Sequence, residues 1–414
     1  MKQFFIPLCI FFVVFFIYFG VGSQFSFKPK WALDYFNPLA FSLLNMRFDI
    51  PIQGDNHDLI YFHGKWYVPW GVLPALLLIP FQLLLGRYIP EFYITLFLGS
   101  VNVVFIYLLL LRIKKEFFPH ISRFTILSIV IFFAFGTTHF YVGTLGSSWH
   151  VSQMVSSSLG ILGIFAVFRK HPKTIHFLLS AVFICLAMLG RQTVIFLISL
   201  PISLYLFQSF YKQKEIINKK KIVVNGLLIF GLPFIICVSW FFYYNYLRFG
   251  DIFQTGYQYI KEDAVLSEIR KTNGMFSIRN IPTNLWYMIF EIPKFHWINN
   301  KITLGINLYG NSVFFLSPPL LFSFLALPLQ KKKNAFFFNP FVTSLWIGIL
   351  ITIIPILMYY SSGWIQFGYR YALDIMVSLI LLSVFALKGK LNTLYIVGIF
   401  FSIFVHVLGI YSLM

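Results

Sequence analysis

Long apolar runs dominate the chain and alternate with short clusters of basic residues. Eleven runs approach or exceed the length that a helix needs to cross a bilayer, the run at 374–387 being the shortest. Backbone polar groups in lipid must be satisfied within the segment, so each run predicts a helix. The pattern predicts an all-α polytopic membrane protein, one integral membrane domain over 1–414, with spans at 3–21, 91–111, 124–142, 151–168, 175–190, 192–210, 222–244, 312–329, 341–359, 374–387 and 392–412.

One further apolar segment does not fit this series. Residues 71–86 are few for a span and contain Pro74 and Pro80. A full span here would also move the basic cluster at 112–115 to the other side of the membrane. We therefore predict an interfacial or re-entrant helix on the outer side.

The first apolar run follows a single lysine, so a cleaved signal peptide is an alternative to a first span. We expect a retained helix, because ten more spans follow and no soluble domain needs export.

The charged residues sort by side once the spans are threaded with Lys2 in the cytoplasm. Of the 32 basic residues, 18 then lie inside in clusters between spans, and 14 lie outside. Only Glu116 and Glu215 of the 13 acidic residues lie inside, which gives net charges of +16 inside and +3 outside. This is the positive-inside pattern of membrane proteins, and it accounts for the basic balance without a nucleic-acid partner.

Two long segments lie outside in this threading, at 22–90 and 245–311. Both mix aromatic, charged, glycine and proline residues and are not polar enough to be disordered, so we expect ordered loops with juxtamembrane helices. A channel needs no such loops. Together with the outward segregation of carboxylates, they favour a multi-pass plasma-membrane enzyme with its site on the external face.

The first loop holds the acids best placed for catalysis, Asp34 and Asp58, with His57 beside the latter. Group transfer to a hydroxyl or amine needs a carboxylate base near the acceptor, and an acid at the membrane interface supplies one. The alternative for either aspartate is a structural role, as an interfacial cap or a partner of Lys65.

Asp55, His57 and Asp58 also form a run that suits Mn²⁺ chemically. Its spacing matches no specific metal motif, and Asp55 and His57 would point to opposite sides of an extended segment. We therefore predict no metal and no cofactor. The cysteines Cys9, Cys185 and Cys237 lie in apolar runs and are interpreted as core residues.

Three arginines on the outer side are candidates for binding a phosphate: Arg370, Arg248 and Arg191. The alternatives are a snorkelling anchor for Arg191 and, because 370 and 374 are four apart, a pair between Arg370 and Asp374. Clustered aromatic and polar residues at the same level add candidates for a substrate groove, which are His57, Lys65, Trp149, His150 and Tyr369.

Four segments together resemble a known family. They are LDYFNPLAFSLLNMRFDIP followed by HDLIYFHGKWYVPWGVLPALLLIPF, then GTTHFYVGTLGSSWHVSQ, YNYLRFGDIFQTGYQY and QFGYRYALD. Their order and spacing are similar to bacterial membrane proteins of the GT-C glycosyltransferase superfamily, near family 39, which includes protein O-mannosyltransferases and the lipid A aminoarabinose transferase.

The resemblance implies a catalytic acid in the first external loop, juxtamembrane helices on the outer face and a polyprenyl-phosphate-linked sugar as donor. One departure from the family matters, because protein O-mannosyltransferases carry an adjacent Asp-Glu pair in that loop and this chain has none. Asp34 and Asp58 therefore compete for the role of base. A glycan or lipid acceptor is favoured over a protein.

Two other functions fit the same pattern less well. A transporter or flippase of a lipid-linked saccharide would show internal repeats and charges in mid-span, and neither is evident here. An oligosaccharide polymerase or ligase shares the site chemistry and differs in the size of its donor, which the sequence does not reveal.

Overall fold

The structure is a computed structural model, and helices make up most of it. Of the residues discussed above, Asp55 and Glu215 lie outside the part that it describes. The described residues are 2–30, 33–51, 56–212, 219–298, 301–332 and 335–413.

The described chain forms α-helices joined by short 3₁₀ and π turns, with three two-stranded hairpins. The α-helices are α1 (Lys2–Gly22), α2 (Phe36–Leu44), α3 (Leu73–Leu85), α4 (Phe92–Glu116), α5 (Arg123–Phe135), α6 (Thr138–Gly143), α7 (Ser148–Val167), α8 (Thr174–Met188), α9 (Ser199–Lys212), α10 (Lys219–Gly226), α11 (Leu232–Phe249), α12 (Ala264–Asn273), α13 (Ile281–Leu285), α14 (Val313–Leu316), α15 (Pro340–Met358), α16 (Leu373–Ala386) and α17 (Thr393–Leu413). The strands are β1 (Ile60–Phe62), β2 (Lys65–Tyr67), β3 (Lys294–Ile298), β4 (Lys301–Gly305), β5 (Leu329–Lys332) and β6 (Ala335–Phe338), paired antiparallel in sequence order.

Seven helical segments of the described chain are long and apolar enough to cross a membrane. This confirms a mostly helical, multi-pass membrane protein. The structure does not confirm the predicted eleven spans, because the helices at the other predicted spans are shorter or interrupted. The seven are Phe5–Gly22, Phe92–Glu116, Ser148–Val167, Gln192–Phe210, Lys219–Phe249, Pro340–Met358 and Thr393–Leu413.

Local sequence explains the interruptions. The run predicted at 124–142 divides at Gly136, and a new helix starts where the Thr137 hydroxyl accepts the His139 N–H. The run at 312–329 becomes the short α14 followed by a 3₁₀ helix, Pro318–Leu325, because two prolines at its start lack the N–H that a continuous α-helix requires.

The segment at 71–86 forms the 13-residue α3, which is too short to span a bilayer. Its start is bonded to the end of α8, since the N–H groups of Gly71 and Leu73 donate to the carbonyls of Gly190 and Leu189 at 3.2 and 3.0 Å. Leu83 and Leu84 remain 67% and 81% exposed. A short helix with an exposed apolar side fits the predicted interfacial position.

The two ends of the helical bundle differ in character. At one end the basic clusters meet, because the Lys170 N–H donates to Glu116 and the His120 ring contacts the Lys388 carbonyl at 2.6 Å. At the other end lie α2, α3 and the long loops. Between them, α7 and α16 form the centre of the bundle, with most of their side chains buried. This distribution agrees with the sorting of charge in the sequence.

Candidate functional site

A cavity of about 470 Å³ lies at the loop-bearing end of the bundle, and we call it the polar cavity because histidine, tyrosine and charged side chains line part of its wall. The first loop contributes His57 and Asp58, the start of α7 contributes Trp149 and His150, and Arg370 reaches it from the segment before α16. These five residues, all predicted as site residues, are far apart in the sequence. The fold brings them into one cavity wall.

A second, apolar cavity of about 820 Å³ adjoins the first. It reaches between membrane-spanning helices, where Phe196, Phe234 and Ile354 line it. The two cavities share six wall residues, so a molecule with a polar head and an apolar tail would pass from one into the other. The shared residues are Trp70, Trp149, Tyr257, Tyr359, Arg370 and Tyr371.

Arg370 is held at this junction by backbone hydrogen bonds, and its guanidinium lies 5.3 Å from the Tyr371 ring. Its N–H donates to the Gln366 side chain at 3.1 Å, and its carbonyl accepts from Gln153 at 2.5 Å. The turn before it requires glycine, since Gly368 has φ +74° and a Cβ there would lie 2.7 Å from Thr138. The backbone therefore fixes where the guanidinium enters the cavities.

The Arg370 side chain is 8% exposed, and its Nε and Nη1 have no hydrogen-bond partner in the described part of the chain. Two neighbouring buried donors or acceptors, Trp149 Nε1 and His150 Nε2, likewise have none among the described residues. Buried polar atoms normally have partners, so these three groups are free to bind water or a polar ligand in the cavity. An arginine among them would favour an anion.

Asp374 does not pair with Arg370 as its spacing had allowed. Instead its Oδ2 accepts from Arg191 Nε at 3.2 Å, and no ion pair between Arg370 and Asp374 occurs in the described residues. Residues 370–372 form a 3₁₀ turn before α16, so the face-sharing argument for an α-helix does not hold. Arg191 stacks on Tyr371 at 4.0 Å and, of the two cavities described, lines the apolar one.

Arg248 lies away from both described cavities and has protein partners. Its Nη1 donates to the Val68 carbonyl at 2.9 Å and its Nη2 to Asn245 at 2.7 Å, while its guanidinium lies 4.2 Å from the Tyr244 ring. These contacts tie the end of α11 to the first loop.

Asp58 lies where backbone hydrogen bonds join the two long loops, and we call this junction the seam. Its N–H donates to the Lys261 carbonyl at 2.7 Å, and the Lys261 N–H donates back to Leu59 at 2.8 Å. The carboxylate of Asp58 is 3.6 Å from His57 Nε2. Its backbone has φ 63°, a left-handed conformation that aspartate tolerates better than most residues. The seam presents His57 and Asp58 to the polar cavity.

Asp34 lies outside both described cavities. Its two oxygens accept from Asn37 Nδ2 at 2.8 and 3.0 Å, and one also accepts the Glu91 N–H at 3.3 Å. Glu91 is 1% exposed and accepts the Phe36 N–H at 2.6 Å and the Ser148 hydroxyl at 2.9 Å. Burial above all, and then the Asp34 carboxylate, raise the pKa of Glu91 well above its ordinary value.

Lys65 and Tyr369 also lie outside both described cavities. Lys65 is exposed, 3.9 Å from Asp49. Tyr369 is fully buried and packs against the Tyr371 ring at 6.0 Å. The structure therefore places these two predicted groove residues apart from the other three.

Sequence reasoning did not single out Glu262, which lines the polar cavity. Its oxygens accept from Arg270 Nε and the Tyr360 hydroxyl, both at 2.6 Å. Burial, and then the Glu262 carboxylate, raise the pKa of Tyr360, and burial raises that of Tyr257 to about 12. Both phenols are thus neutral hydrogen-bond donors. Only the membership of Glu262 among the external acids marked it in the sequence.

No group of three or more histidine, cysteine, aspartate or glutamate residues that could hold a metal ion occurs in the described ranges. Asp55, part of the run considered for Mn²⁺, lies outside them. Metal independence therefore stays a prediction.

Comparison of the chain with protein-family models, with curated proteins and with solved structures gives no match.

Proposed function

We propose that the chain is a glycosyltransferase of the GT-C type, which moves a sugar from a polyprenyl-phosphate-linked donor to a glycan or lipid acceptor outside the cytoplasm. The observation that carries the proposal is the position of Arg370, where a polar and an apolar cavity meet. A lipid-linked sugar has the matching order of parts: an apolar chain, an anionic phosphate and a polar sugar.

In this proposal the donor lies across both cavities. Its polyprenyl chain occupies the apolar cavity between the spans, near Phe234 and Ile354. Its phosphate lies against Arg370, whose guanidinium matches phosphate geometry, and accepts from Trp149 Nε1. The charge of Arg191 is already balanced by Asp374, so Arg370 is the stronger anion site of the two.

The sugar and the acceptor then share the polar cavity. An acceptor hydroxyl or amine attacks the anomeric carbon, the bond from that carbon to the phosphate oxygen breaks, and polyprenyl phosphate leaves. Asp58 takes the acceptor proton as general base. Glu262 is less suited to that role because Arg270 and Tyr360 already bind its oxygens. Asp34 remains the second candidate.

The proposed orientation is that of the positive-inside threading, with eleven passes in the plasma membrane and both cavities open to the external face. Four of the passes would be the shorter or broken helical segments at 124–142, 175–190, 312–329 and 374–387. Packing inside the bundle would cover the backbone groups that such segments leave exposed.

The test uses purified protein in vesicles, with polyprenyl-phosphate donors carrying radiolabelled sugars and a lipid or glycan acceptor. Arg370→Gln should raise the donor KM by about 10- to 150-fold, since a hydrogen bond to a charged group contributes about 1.5–3 kcal/mol. Lys65→Gln, which removes an exposed cation of the first loop, is the matched control and should leave KM unchanged.

An unchanged donor KM in Arg370→Gln, with less folded protein, would assign Arg370 a structural role and remove the main support for the proposal. Movement of the labelled donor across the bilayer without transfer of its sugar would favour the flippase instead.

A further inference from the structure

The hairpin β3–β4 separates apolar from polar side chains. Its register places Phe295 opposite Leu304 and Trp297 opposite Ile302, so these four apolar residues share one face. The other face is mostly polar and carries Lys294, His296, Lys301 and Thr303, with Ile298 opposite Lys301 next to the turn. A two-stranded sheet with one wholly apolar face needs something apolar to cover that face.

Among the described residues, the protein covers the base of the apolar face most closely and leaves its tip most exposed. The Leu304 N–H donates to Ser412 Oγ, near the end of α17, at 3.0 Å. Leu304 is 5% exposed, whereas Phe295 is 48% and Trp297 70% exposed. The apolar face thus begins at α17 and extends away from it.

An exposed apolar strip on α17 leads to the same place. Phe400, Phe404, Val407 and Tyr411 are all more than half exposed, and their spacing puts them on one side of the helix. Since α17 is long and apolar enough to span a bilayer, this strip faces lipid. The hairpin is bonded to Ser412, the residue after Tyr411 of this strip.

We propose that the hairpin β3–β4 is a membrane anchor for an anionic lipid surface. Its apolar face, with Phe295 and Trp297, lies among the headgroups of the leaflet at the cavity end of the bundle, and Lys294 and Lys301 contact lipid phosphates. Tryptophan prefers this depth, and lysines extend their ammonium groups from an apolar body towards headgroups.

The anchor has a consequence for the polar cavity. The end of α17 that holds Leu304 also contributes Ile410 and Leu413 to the cavity wall. The hairpin therefore fixes one wall of that cavity at headgroup depth.

The test compares two adjacent positions on opposite faces. Ile302→Cys and Thr303→Cys are made in a full-length chain in which Cys9, Cys185 and Cys237 are replaced, and each is labelled with a small fluorophore. The proteins are reconstituted in vesicles of equimolar phosphatidylglycerol and phosphatidylcholine. Brominated lipid should quench the label at 302 several-fold more than the label at 303, and aqueous iodide should do the reverse.

Equal quenching by iodide at both positions overturns the proposal. Shielding at 302 that depends on protein density, without quenching by brominated lipid, also overturns it and indicates a second copy of the chain as the partner. Combining Lys294→Gln with Lys301→Gln should weaken lipid quenching at 302 in the anionic vesicles and not in pure phosphatidylcholine. The emission of Trp297 is obtained by subtracting the emission of Trp297→Tyr from that of the native chain. Its quenching by brominated lipid repeats the measurement without cysteine changes.

Discussion

Asp58 with Glu262, and Asp34 with Glu91, are two pairs of acids at the loop-bearing end of the bundle that differ in what surrounds them. The first pair lines the polar cavity. The second pair lies outside the described cavities, and backbone N–H groups of Phe36 and of Glu91 itself bind its oxygens. A carboxylate that accepts backbone hydrogen bonds maintains the fold, whereas one on a cavity wall can meet a substrate. Mutation of Asp58 should therefore lower activity, whereas mutation of Asp34 or Glu91 should lower the stability of the fold.

The largest expected effect separates the two aspartates. Asp58→Asn should lower the turnover of sugar transfer by about 10²- to 10⁴-fold with the amount of folded protein unchanged, because a general base typically contributes that much. Asp34→Asn should lower activity only in proportion to the folded protein. Single-turnover rates, normalised to the monodisperse fraction in detergent, distinguish the two outcomes. If Asp34→Asn lowered turnover and Asp58→Asn lowered only the amount of folded protein, Asp34 would be the base.

The second effect concerns stability. Glu91→Ala leaves the Phe36 and Asn37 N–H groups without their acceptor, and each buried group left unsatisfied costs about 1–3 kcal/mol. Asp49→Ala is the control, since it removes a carboxylate whose lysine partner is exposed, and such pairs contribute about 0–1 kcal/mol. Thermal unfolding midpoints in detergent compare the two. A Glu91→Ala protein of native stability and no activity would move Glu91 into the reaction.

These contrasts show what the sequence could predict. Apolar runs predicted the long helices, because the bilayer imposes their length. Of the predicted arginines, Arg370 lines both cavities and Arg248 lines neither of them. The alternative role of Arg370, a pair with Asp374, was wrong, because a four-residue spacing joins side chains on an α-helix and residues 370–372 form a 3₁₀ turn after Gly368 instead. Asp34 and Asp58 could not be separated, because the contact of Asp58 with Lys261 joins positions some two hundred residues apart, and local sequence carries no trace of it.

A smaller effect follows from the raised pKa of Glu91. Between the ordinary glutamic acid pKa of about 4.3 and its own higher value, the folded state binds more protons than the unfolded state. The free energy of unfolding should therefore fall as pH rises through that window, by at most about 1.4 kcal/mol per pH unit from this group. Denaturation of the native chain and of Glu91→Gln at several pH values measures the difference. Equal slopes in both proteins would contradict the assignment.

Removal of metal ions is expected to have no effect on activity. Transfer should persist in excess EDTA, because Arg370 can neutralise the donor phosphate without Mg²⁺. Loss of activity in the chelator, restored by Mn²⁺, would turn Asp58 and His57 from base and neighbour into metal ligands. Asp58 would then differ from the second pair of acids because it binds a metal ion, not because it accepts a proton.

The seam between the loops limits how the protein can be altered. Asp58 keeps its place because Leu59, Ile60, Ile260 and Lys261 pair as a short antiparallel ladder. One residue inserted on either side of that ladder would shift its register and turn the neighbouring side chains to the opposite face. The two long loops are consequently one structural unit, and a graft that transfers one of them to another protein has to carry the other too, with the ladder intact.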